Sequence, residues 1–385
     1  MAQWLVLNIG SSTIKAAAWL DGSGPPALRA TLETGSGALR LDGADAGCAP
    51  GGLDGTEALA GWLLDRIAAR LAPFAPEGVG HRVVHGGQDF AAPVTVTPGV
   101  LARLEALAPL APGHQPFNLA GIRAAAARWP GVRQVAAFDT AFHRARPRLA
   151  QLYALPREMA EAGILRYGFH GLSYEHIAGR MGAVLGPAAD GAVVVAHLGS
   201  GASLCALRAG RPVATTMGFS ALDGLVMGTR AGQVDPGVLL HLMRTRGMDA
   251  DALEALLGKR SGLLGVSGIS ADMRVLLASD APEAAEAVAL FVASVVGHVG
   301  AMAAAAGGLD GLVFTGGIGA NSAQVRARVM EGLEWLGVAA DLPANAAGGP
   351  VVTRPGSRVV AAAMETDEEA VILRALQDGG AAAGK

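Results

Sequence analysis

Residues 5–15 read LVLNIGSSTIK and predict a β-hairpin whose turn carries polar groups. Apolar residues precede the turn and strand-like residues follow it, as in two paired strands. Gly10 lets the backbone approach a ligand closely, and the hydroxyls of Ser11 and Ser12 can donate to phosphate oxygens. Lys15 adds a positive charge near the same turn. Taken alone, the stretch also fits an ordinary hairpin turn, so its meaning depends on the rest of the chain.

The same pattern returns about half a chain later. Residues 195–209, VAHLGSGASLCALRA, align without a gap to residues 6–20 at an offset of 189. Two such hairpins suggest two related α/β halves. A third glycine-rich turn, GLVFTGGIGAN at residues 311–321, follows a late strand, and no GxxxxGK[ST] phosphate loop occurs. The two hairpins and the TGGIG turn resemble the actin/hexokinase/Hsp70 superfamily, which closes two domains over ATP.

Composition indicates a compact globular protein. The 385 residues are 51% hydrophobic and 16% charged, which is enough for two domains with full cores. The net charge of -3 gives no electrostatic reason to expect a nucleic-acid or membrane partner. Residues 287–309 carry no charge, and we expect a buried helix there, in the core or in a dimer interface. Two cysteines, Cys48 and Cys205, and the lack of a signal peptide predict a cytoplasmic location.

Periodicity and turn residues predict elements along the whole chain. The expected helices are 56–71, 98–111, 119–128, 174–181, 237–246, 249–257, 282–306, 322–336 and 367–376. Further strands are expected near 78–87, 132–138 and 358–364. Loops with short edge strands are expected at 21–54, loops at 113–118, 165–175, 215–236 and 261–274, and a disordered tail at 379–385. The polar loop 215–236 is longer than most, which makes it a functional candidate.

Nine ordered motifs from residue 5 to about residue 372 closely resemble those of the acetate kinase family. They read NIGSSTIK, HRVVHGG, FDTAFH, YGFHGLS, HLGSGAS, MGTRAGQVDP, SGLLGVSGISADMR, FTGGIGANS and TDEEAVI. The resemblance implies an α/β fold of two duplicated ribonuclease-H-like domains with an ATP cleft between them. It implies an acyl-substrate domain at 1–148, completed by a helix at 370–385, and a nucleotide-binding domain at 149–369. It also implies a homodimer that moves a phosphoryl group between ATP and a short-chain carboxylate.

Phosphoryl transfer to a carboxylate brings several anions together, so the site must neutralise their charge. Arginine suits this task because it is always charged and binds oxygens bidentately. By resemblance, Arg82 and Arg230 hold the acyl carboxylate and the γ-phosphate. His170 would donate to the γ-phosphate oxygens in the transition state, and His114 would be a second phosphate contact. Asp139 would orient Arg82 or a metal-bound water, or else only cap the turn after its strand.

The resemblance also assigns metal and substrate contacts. Mg²⁺, with Mn²⁺ as an alternative, would bind Asn8 and Glu368, with Glu369 replacing Glu368 if the register differs by one. The acyl group would lie beside Arg82, Val84, Gly113, Phe169 and Ala221. The residues expected to bind ATP or ADP are Ser11, Ser12, Lys15, His197, Leu198, Gly199, Ser200, Gly201, Asp272, Met273, Arg274, Gly317, Ile318, Gly319, Ala320 and Asn321. The pair His81 and His85 has the i, i+4 spacing of a zinc site but lies on a strand without a third ligand, so no zinc is expected.

Several positions depart from the family pattern. Ser200 stands where the family has an amide, Ala320 where it has a carboxylate, Tyr174 where it has a histidine, and Asp367 where it has an asparagine. The arginine and histidine set remains complete. A non-catalytic nucleotide sensor, which would be expected to lose that set, is therefore the weaker alternative. A sugar kinase would need an aspartate base positioned for a hydroxyl, whereas a carboxylate needs no base.

Two departures concern the acyl pocket. Gly113 stands where the family has leucine, and Ala221 where it has proline, so both remove bulk beside the substrate methyl. One methylene in an apolar pocket is worth roughly 1–3 kcal/mol of discrimination. We therefore expect a roomier pocket that accepts propionate as well as acetate. A kinase that prefers propionate or butyrate is the alternative.

Overall fold

The computed structural model describes residues 2–380. The chain divides into two compact units: Met1–Arg144 together with Asp367–Lys385 form the first, and Ala145–Thr366 form the second. The first unit is therefore discontinuous in sequence, and its last segment follows the whole of the second unit. The borders lie a few residues before those expected from the sequence.

The first unit is built on an eight-stranded sheet with the order β5-β4-β3-β2-β1-β6-β8-β7. Its strands are β1 (Trp4–Ile9), β2 (Thr13–Trp19), β3 (Leu28–Glu33), β4 (Ala38–Leu41), β5 (Ala44–Cys48), β6 (Gly78–Val83), β7 (Val94–Thr95) and β8 (Arg133–Phe138). The first five strands form an antiparallel meander, whereas β1, β6 and β8 run parallel. The carboxyl ends of the parallel strands therefore meet at one edge, where ligands usually bind in such sheets.

Three helices precede the second unit. They are α1 (Gly55–Arg70), α2 (Pro98–Ala106) and α3 (Gln115–Arg128). Leu63, Ile67 and Ala125 of these helices pack with Leu5, Leu7 and Val79 of the sheet in one buried cluster. Side chains alternate along a strand, so one face of β1 and β6 lies against α1 and α3.

The second unit has a five-stranded sheet with the order β11-β10-β9-β12-β13. Its strands are β9 (Ala192–Leu198), β10 (Ala202–Arg208), β11 (Arg211–Thr215), β12 (Gly311–Thr315) and β13 (Val360–Ala363). The order repeats that of β3-β2-β1-β6-β8, with three antiparallel strands followed by two parallel ones. The duplicated hairpins inferred from the repeated sequence are therefore confirmed.

The helices of the second unit surround this sheet. They are α4 (Arg157–Glu161), α5 (Gly171–Arg180), α6 (Gly182–Leu185), α7 (Pro236–Arg246), α8 (Ala250–Lys259), α9 (Gly262–Ser267), α10 (Met273–Leu277), α11 (Pro282–Ala306), α12 (Gly316–Asn321), α13 (Ala323–Glu331) and α14 (Leu342–Ala346). The long helix α11 packs on β9, β10 and β11. The loop 216–235 contains no helix or strand, as expected from the sequence.

The last helix, α15 (Glu368–Gln377), completes the first unit on the sheet face opposite α1 and α3. Glycines on β6 allow this close approach. A Cβ at Gly80 would lie 2.6 Å from Ile372 Cγ2, and a Cβ at Gly78 would lie 2.8 Å from Leu376 Cδ1. Of the tail expected to be disordered, Gly380 donates its N–H to Ala375, and residues 381–385 lie outside the described residues.

Four expected loops or helix ends were wrong. Helix α3 begins at Gln115, inside the loop expected at 113–118, because Pro116 occupies its first turn, where no N–H is needed. The helix expected at 98–111 ends at Ala106, and a short 3-10 turn follows at Ala108–Leu110. Helix α5 begins at Gly171, three residues earlier than expected. The segment Glu334–Leu336 forms a 3-10 turn, separated from α13.

Two glycine-rich segments expected as loops or turns contain helices. The segment 261–274 contains α9 and the start of α10. Gly268, at φ +65°, ends α9, and the side chain of Asp272 caps the start of α10. The TGGIG segment turns at Gly316, with φ +76°, and continues at once as α12. Glycine has low helix propensity, so tertiary packing outweighs local preference in both segments.

Helix α11, which carries no Asp, Glu, Lys or Arg after Glu286, is buried on one face only, whereas a helix buried in the core or in a dimer interface was expected. Among residues 2–380 it is the one helix whose length and composition would allow it to cross a membrane. Its buried positions recur every three or four residues: Ala284, Ala287, Val288, Phe291, Val295, Val299, Ala303 and Ala306. Leu290, by contrast, is 45% exposed. Alanine and glycine occupy much of the open face, so no change of polarity marks it in the sequence.

Candidate active site

Arg82 and Asp139 form a bidentate ion pair at the carboxyl ends of β6 and β8. Arg82 Nε and Nη2 donate to the two carboxylate oxygens of Asp139 at 2.9 and 2.5 Å. Burial raises the pKa of the Asp139 carboxyl, and the contacts with Arg82 oppose that rise. Burial alone would lower the pKa of Arg82, but the charges of Asp139 and Glu368 outweigh it, and the pKa is raised. The guanidinium is therefore charged and fixed in one plane.

Other predicted residues of the first unit surround this pair. Arg82 Nη1 donates to Asn8 Oδ1 at 3.2 Å, and Glu368 Oε2 lies 3.7 Å from Arg82 Nε. His114 is half-buried at the start of α3, and its charge acts on Asp139. The structure thus brings four other predicted residues close to the Arg82–Asp139 pair or into it: Asn8, His114, Asp139 and Glu368.

The structure distinguishes the two adjacent glutamates of α15. Glu368 approaches Arg82, whereas Glu369 accepts a hydrogen bond from Arg29 at 3.2 Å. Burial raises the pKa of Glu369, and Arg29 opposes that rise. The register chosen from the sequence, with Glu368 facing the candidate site, therefore agrees with the structure better than the alternative.

Side chains from α3 and from the end of β8 hold the loop that follows Arg82. Asn118 accepts from the Val84 N–H at 2.9 Å and donates to the Ile9 carbonyl at 2.6 Å. Gln115 bonds to both backbone groups of His85, and Thr140 accepts from the Gly86 N–H at 3.0 Å. The sequence did not predict these supporting roles, although Gln115 and Asn118 lie in the segment 113–118 that was expected to be a loop.

The first hairpin places its polar groups at the surface. Ser11 and Ser12 are exposed in the turn between β1 and β2. Lys15 is exposed and pairs in register with Asn8, so both side chains lie on one face of the sheet. These residues share the first unit with Arg82, and the remaining predicted nucleotide contacts belong to the second unit.

In the second unit, His170 stacks on His197 beside the second glycine turn. The ring centroids are 4.2 Å apart, and the planes differ by 22°. A Cβ at Gly201 would lie 3.3 Å from His170 Nε2 and 3.5 Å from Arg230 Nη1. The glycine therefore leaves open the space that an imidazole nitrogen and a guanidinium both border.

His170 is one of three non-glycine residues with positive φ among residues 2–380. Its backbone has φ 59° and ψ 23°, at the residue before α5. This left-handed conformation costs a residue with a side chain roughly 1–2 kcal/mol. Strain of this kind is concentrated at functional sites.

The loop that carries Arg230 is fixed by its neighbours. Gly228 donates its N–H to the Ser200 carbonyl at 3.0 Å, which joins the arginine loop to the glycine turn. The Ser261 N–H donates to Thr229, and the Ala231 N–H donates to Leu257. Arg230 Nη1 donates to the Ala221 carbonyl at 3.1 Å. The arginine is therefore positioned by its own loop and by the region of α8 and α9.

A cavity of about 660 Å³ in the second unit is lined by eight of the sixteen residues predicted to bind nucleotide. Its lining residues are Gly199, Ser200, Ala271, Asp272, Met273, Arg274, Leu277, Gly317, Ile318, Asn321 and Ser322. This size falls in the range of roughly 300–1,000 Å³ that is typical of small-molecule sites. Ala271, Leu277 and Ser322 were not anticipated. Leu198 and Gly319, which were, are buried and do not belong to the lining.

Asp272 and Arg274, predicted to flank the adenosine, pair with each other. Arg274 Nη2 donates to Asp272 Oδ2 at 2.6 Å. This hydrogen bond, together with that from the Arg274 N–H, lowers the pKa of Asp272 to about 2. The pair therefore presents both charges at the cavity edge across the physiological pH range.

The predicted acyl residues are divided between the units. Val84 and Gly113 belong to the first unit, and Phe169 and Ala221 to the second. Val84 and Phe169 are buried, whereas a Cβ at Gly113 would have no heavy atom within 4 Å. A Cβ at position 113 would therefore meet no collision, so the backbone there leaves open space.

The donor groups near Arg82 fit a magnesium ion in kind. Asn8 and Glu368 offer oxygen ligands, and both contact the same guanidinium. Residues 2–380 contain no group of three or more His, Cys, Asp or Glu side chains arranged for a metal. Two protein oxygens suit an ion that keeps several waters and binds phosphate, as Mg²⁺ does.

Comparison with known proteins adds evidence independent of the site geometry. The model of the acetokinase family matches residues 54–374. The chain is 50% identical over 393 aligned residues to a protein of Rhodopseudomonas palustris named acetate kinase, with 98% of each chain covered. A Rhizobium meliloti protein of the same name is 51% identical, covering 81% of this chain and 78% of the relative.

Solved structures show the same fold. A crystal structure of Porphyromonas gingivalis acetate kinase has a TM-score of 0.88 at 35% identity and covers 98% of this chain and 99% of its own. A propionate kinase from Francisella tularensis has a TM-score of 0.90 at 32% identity and covers 97% and 98%. These neighbours confirm the two-domain α/β fold expected from the repeated hairpins. With a family match across most of its length and close relatives over nearly all of it, the chain belongs to the acetokinase family.

Proposed function

We propose that this enzyme transfers the γ-phosphoryl group of ATP to acetate, reversibly and directly, giving acetyl phosphate and ADP. The observation that carries this proposal is the occupation of both Asp139 oxygens by Arg82. A sugar kinase needs a carboxylate that accepts a hydroxyl proton. Asp139 instead orients a guanidinium, which suits an acceptor that is already an anion. The named relatives, at about half identity over nearly the whole chain, support the same activity.

The residues of the first unit would bind the acyl acceptor. Arg82 is partly exposed and charged, so it can bind a carboxylate and then the transferring group as negative charge develops. His114 would add a hydrogen bond to the phosphoryl oxygens. Asn8 and Glu368 would hold Mg²⁺, or Mn²⁺ in its place, and the ion would neutralise phosphate charge when bound.

The residues of the second unit would bind the nucleotide. The cavity beside Gly199 and Ser200 would accept ATP or ADP, with the apolar side chains Leu277 and Ile318 against the base. Arg230 and His170 both border the space at Gly201, and they would contact the γ-phosphate there. Ser200 keeps a hydroxyl where the family has an amide, so a polar contact to phosphate remains available.

The acceptor specificity would extend beyond acetate. Gly113 and Ala221 both lack the bulk found in the family, and the space around Gly113 within its unit is open. A propionate kinase among the structural neighbours is compatible with a larger acceptor. We infer that propionate is also used, with a preference for propionate or butyrate as the second candidate.

The functional test is acyl-phosphate formation, trapped as hydroxamate. Mg·ATP is supplied with acetate, propionate or butyrate, and Arg82→Ala is compared with Arg148→Ala, an exposed arginine of the second unit. We expect turnover by the wild type and by Arg148→Ala, and none by Arg82→Ala. If the wild type forms no acyl phosphate with any of the three acids, the proposal is contradicted. A fall in kcat/KM of more than about tenfold from acetate to propionate would contradict the enlarged pocket.

We also propose a cytoplasmic homodimer. Helix α7 has no buried residue in its unit and exposes Val238, Leu240 and Met243. The open face of α11 carries no Asp, Glu, Lys or Arg after Glu286. Exposed apolar helices of this kind typically mark protein interfaces. A second copy of the chain is the partner that we propose for them.

A further inference from the structure

Two histidine–serine pairs lie beside the second glycine turn. His170 Nδ1 is 2.9 Å from Ser203 Oγ, and His197 Nδ1 is 2.8 Å from Ser173 Oγ. The two imidazoles stack on each other, so each ring has a serine hydroxyl at the same nitrogen. The Nδ1 contact matters because it determines which nitrogen of a neutral ring carries the proton.

The contact at His170 extends one residue further into the core. Tyr174 OH lies 2.5 Å from Ser203 Oγ, so Tyr174, Ser203 and His170 form one hydrogen-bonded chain. Tyr174 and Ser203 are both fully buried, so bulk water does not compete for the hydrogen bond between them. The far end of this chain is His170 Nε2, which borders the open space at Gly201.

The chemistry of the two hydroxyls favours one direction of donation. A phenol is a stronger hydrogen-bond donor than an aliphatic hydroxyl, which is the better acceptor. Burial raises the pKa of Tyr174 well above its ordinary value, so the phenol keeps its proton at any working pH. Tyr174 therefore donates to Ser203, whose own proton is then directed to His170 Nδ1. A neutral ring that accepts at Nδ1 carries its proton at Nε2.

We propose that Tyr174 and Ser203 are positioning residues that hold the neutral ring of His170 in its Nε2–H tautomer, so that Nε2 donates to a phosphoryl oxygen bound at Gly201. This inference rests on the proposed role of His170 in phosphoryl transfer but not on the choice of acyl acceptor. It gives a function to Tyr174, one of the departures from the family pattern. The hydrogen bonds from Tyr174 through Ser203 also fix the orientation of the His170 ring, and the backbone of His170 is held in the left-handed region.

The direct test is the tautomer of His170 in the full-length protein. Two-bond ¹⁵N–¹H spectra of histidine-labelled enzyme at about pH 8, assigned with His170→Gln, report which nitrogen is protonated. We expect Nε2–H in the wild type. Tyr174→Phe and Ser203→Ala should shift the signals towards a mixture of tautomers. Ser203→Thr, which keeps the hydroxyl, should restore the wild-type pattern.

Kinetics provide a second readout. We expect Tyr174→Phe to lower kcat about tenfold, less than the 10²–10³ that loss of a direct oxyanion donor costs. KM for ATP and for the acid should change less than threefold. The matched control is Tyr167→Phe, which removes another buried phenol hydroxyl, one that donates to the Gly163 carbonyl at 2.8 Å. It should leave the tautomer and kcat unchanged.

The outcomes separate the two proposals. An Nδ1–H ring in the wild type, or equal effects of Tyr174→Phe and Tyr167→Phe, would overturn the positioning role. If Ser203→Ala does not fold, Tyr174→Phe carries the test. A wild type that makes no acyl phosphate but shows the Nε2–H ring would reject the proposed function and support the tautomer assignment.

Discussion

Arg326 is a buried charge that shapes the nucleotide cavity without lining it. Its side chain is 1% exposed, and its guanidinium donates to carbonyls of Gly319 and Ala320 at the end of α12. It also bonds to both the side-chain and the backbone oxygen of Asn345. Burial lowers the pKa of Arg326. The residue therefore joins α12, which supplies Gly317 and Ile318 to the cavity, to α13 and α14.

Replacing this arginine should damage both stability and nucleotide binding. In Arg326→Met, the buried carbonyls lose their donors, and we expect the free energy of unfolding to fall by about 3 kcal/mol. Urea unfolding and calorimetric titration with ATP measure the two effects. Arg328→Met, at an exposed position on the same helix, should change stability by less than about 0.5 kcal/mol. Equal effects of the two variants would contradict the role given to Arg326.

At the residue scale, the sequence predicts charged groups better than their partners. Arg82 and Asp139 were both predicted from their motifs, and a contact between them was anticipated. Ser203, Asn118 and Arg326 were missed as functional residues. Ser203 and Asn118 act through partners more than thirty residues away, and Arg326 bonds to carbonyls of a neighbouring helix, so no local pattern reveals these hydrogen bonds.

Among the elements, α15 shows that one departure from the family pattern keeps a helix cap. Asp367 precedes the helix, and its side chain accepts from the Ala370 N–H at 2.9 Å. Aspartate and asparagine are about equally good at this position. The cap also fixes the start of the helix that carries Glu368, so this element connects helix stability to the candidate site.

The cap predicts a graded pair of variants. Asp367→Ala removes the acceptor for the Ala370 N–H, and we expect it to lower the free energy of unfolding by about 1 kcal/mol. Asp367→Asn restores the family residue and should change stability by less than about 0.5 kcal/mol. Thermal and urea unfolding test both. If the two variants are equally destabilised, the hydrogen bond is not the source of the stability.

The prediction of helices and strands succeeded where the local hydrophobic pattern agrees with the contacts that the element makes in the folded protein. The two hairpins and helices such as α1 follow from alternation and from 3.6-residue periodicity. The helices α9 and α12 were missed because glycine-rich sequence has no helical preference of its own. Contacts with the arginine loop and with β9 stabilise them, and these contacts exist only in the folded chain.

At the scale of the whole molecule, buried histidines make stability depend on pH. Burial lowers the pKa of His81 to about 4, despite its hydrogen bond to Gln134, and that of His85 also to about 4. In the unfolded chain both rings titrate near 6.5. Between about pH 6.5 and 4, the unfolded state therefore binds protons that the folded state does not. Stability falls as pH falls through this window, by at most about 3 kcal/mol for each ring.

This linkage can be isolated with one substitution. His81→Gln keeps a polar group beside Gln134 but removes the titration of the ring. Between pH 6.5 and 4 the variant should therefore lose less stability than the wild type, and the difference should be up to about 3 kcal/mol. Urea unfolding at several pH values gives the two curves. A parallel curve for His81→Gln would contradict the assignment.

The proposed dimer makes a prediction about mass. Light scattering should give twice the chain mass of 38.6 kDa for the wild type. Leu240→Glu places a charge on the exposed face of α7 and should shift the equilibrium towards the monomer, because a charge in an apolar interface is costly. Leu149→Glu, at a side chain that is 86% exposed, should remain dimeric. A monomeric wild type would reject the dimer.

The discontinuous first unit has a consequence for the order of events during synthesis. The strands β1 to β8 are synthesised before the second unit, but α15, which covers Gly78 and Gly80 on one face of their sheet, is synthesised after it. Chains grow at roughly 5–20 residues per second, so this face waits uncovered for roughly ten to forty seconds while the second unit is made. The nascent protein thus carries an uncovered sheet face while the second unit is being synthesised. The first unit can complete its packing only after the second unit has been synthesised.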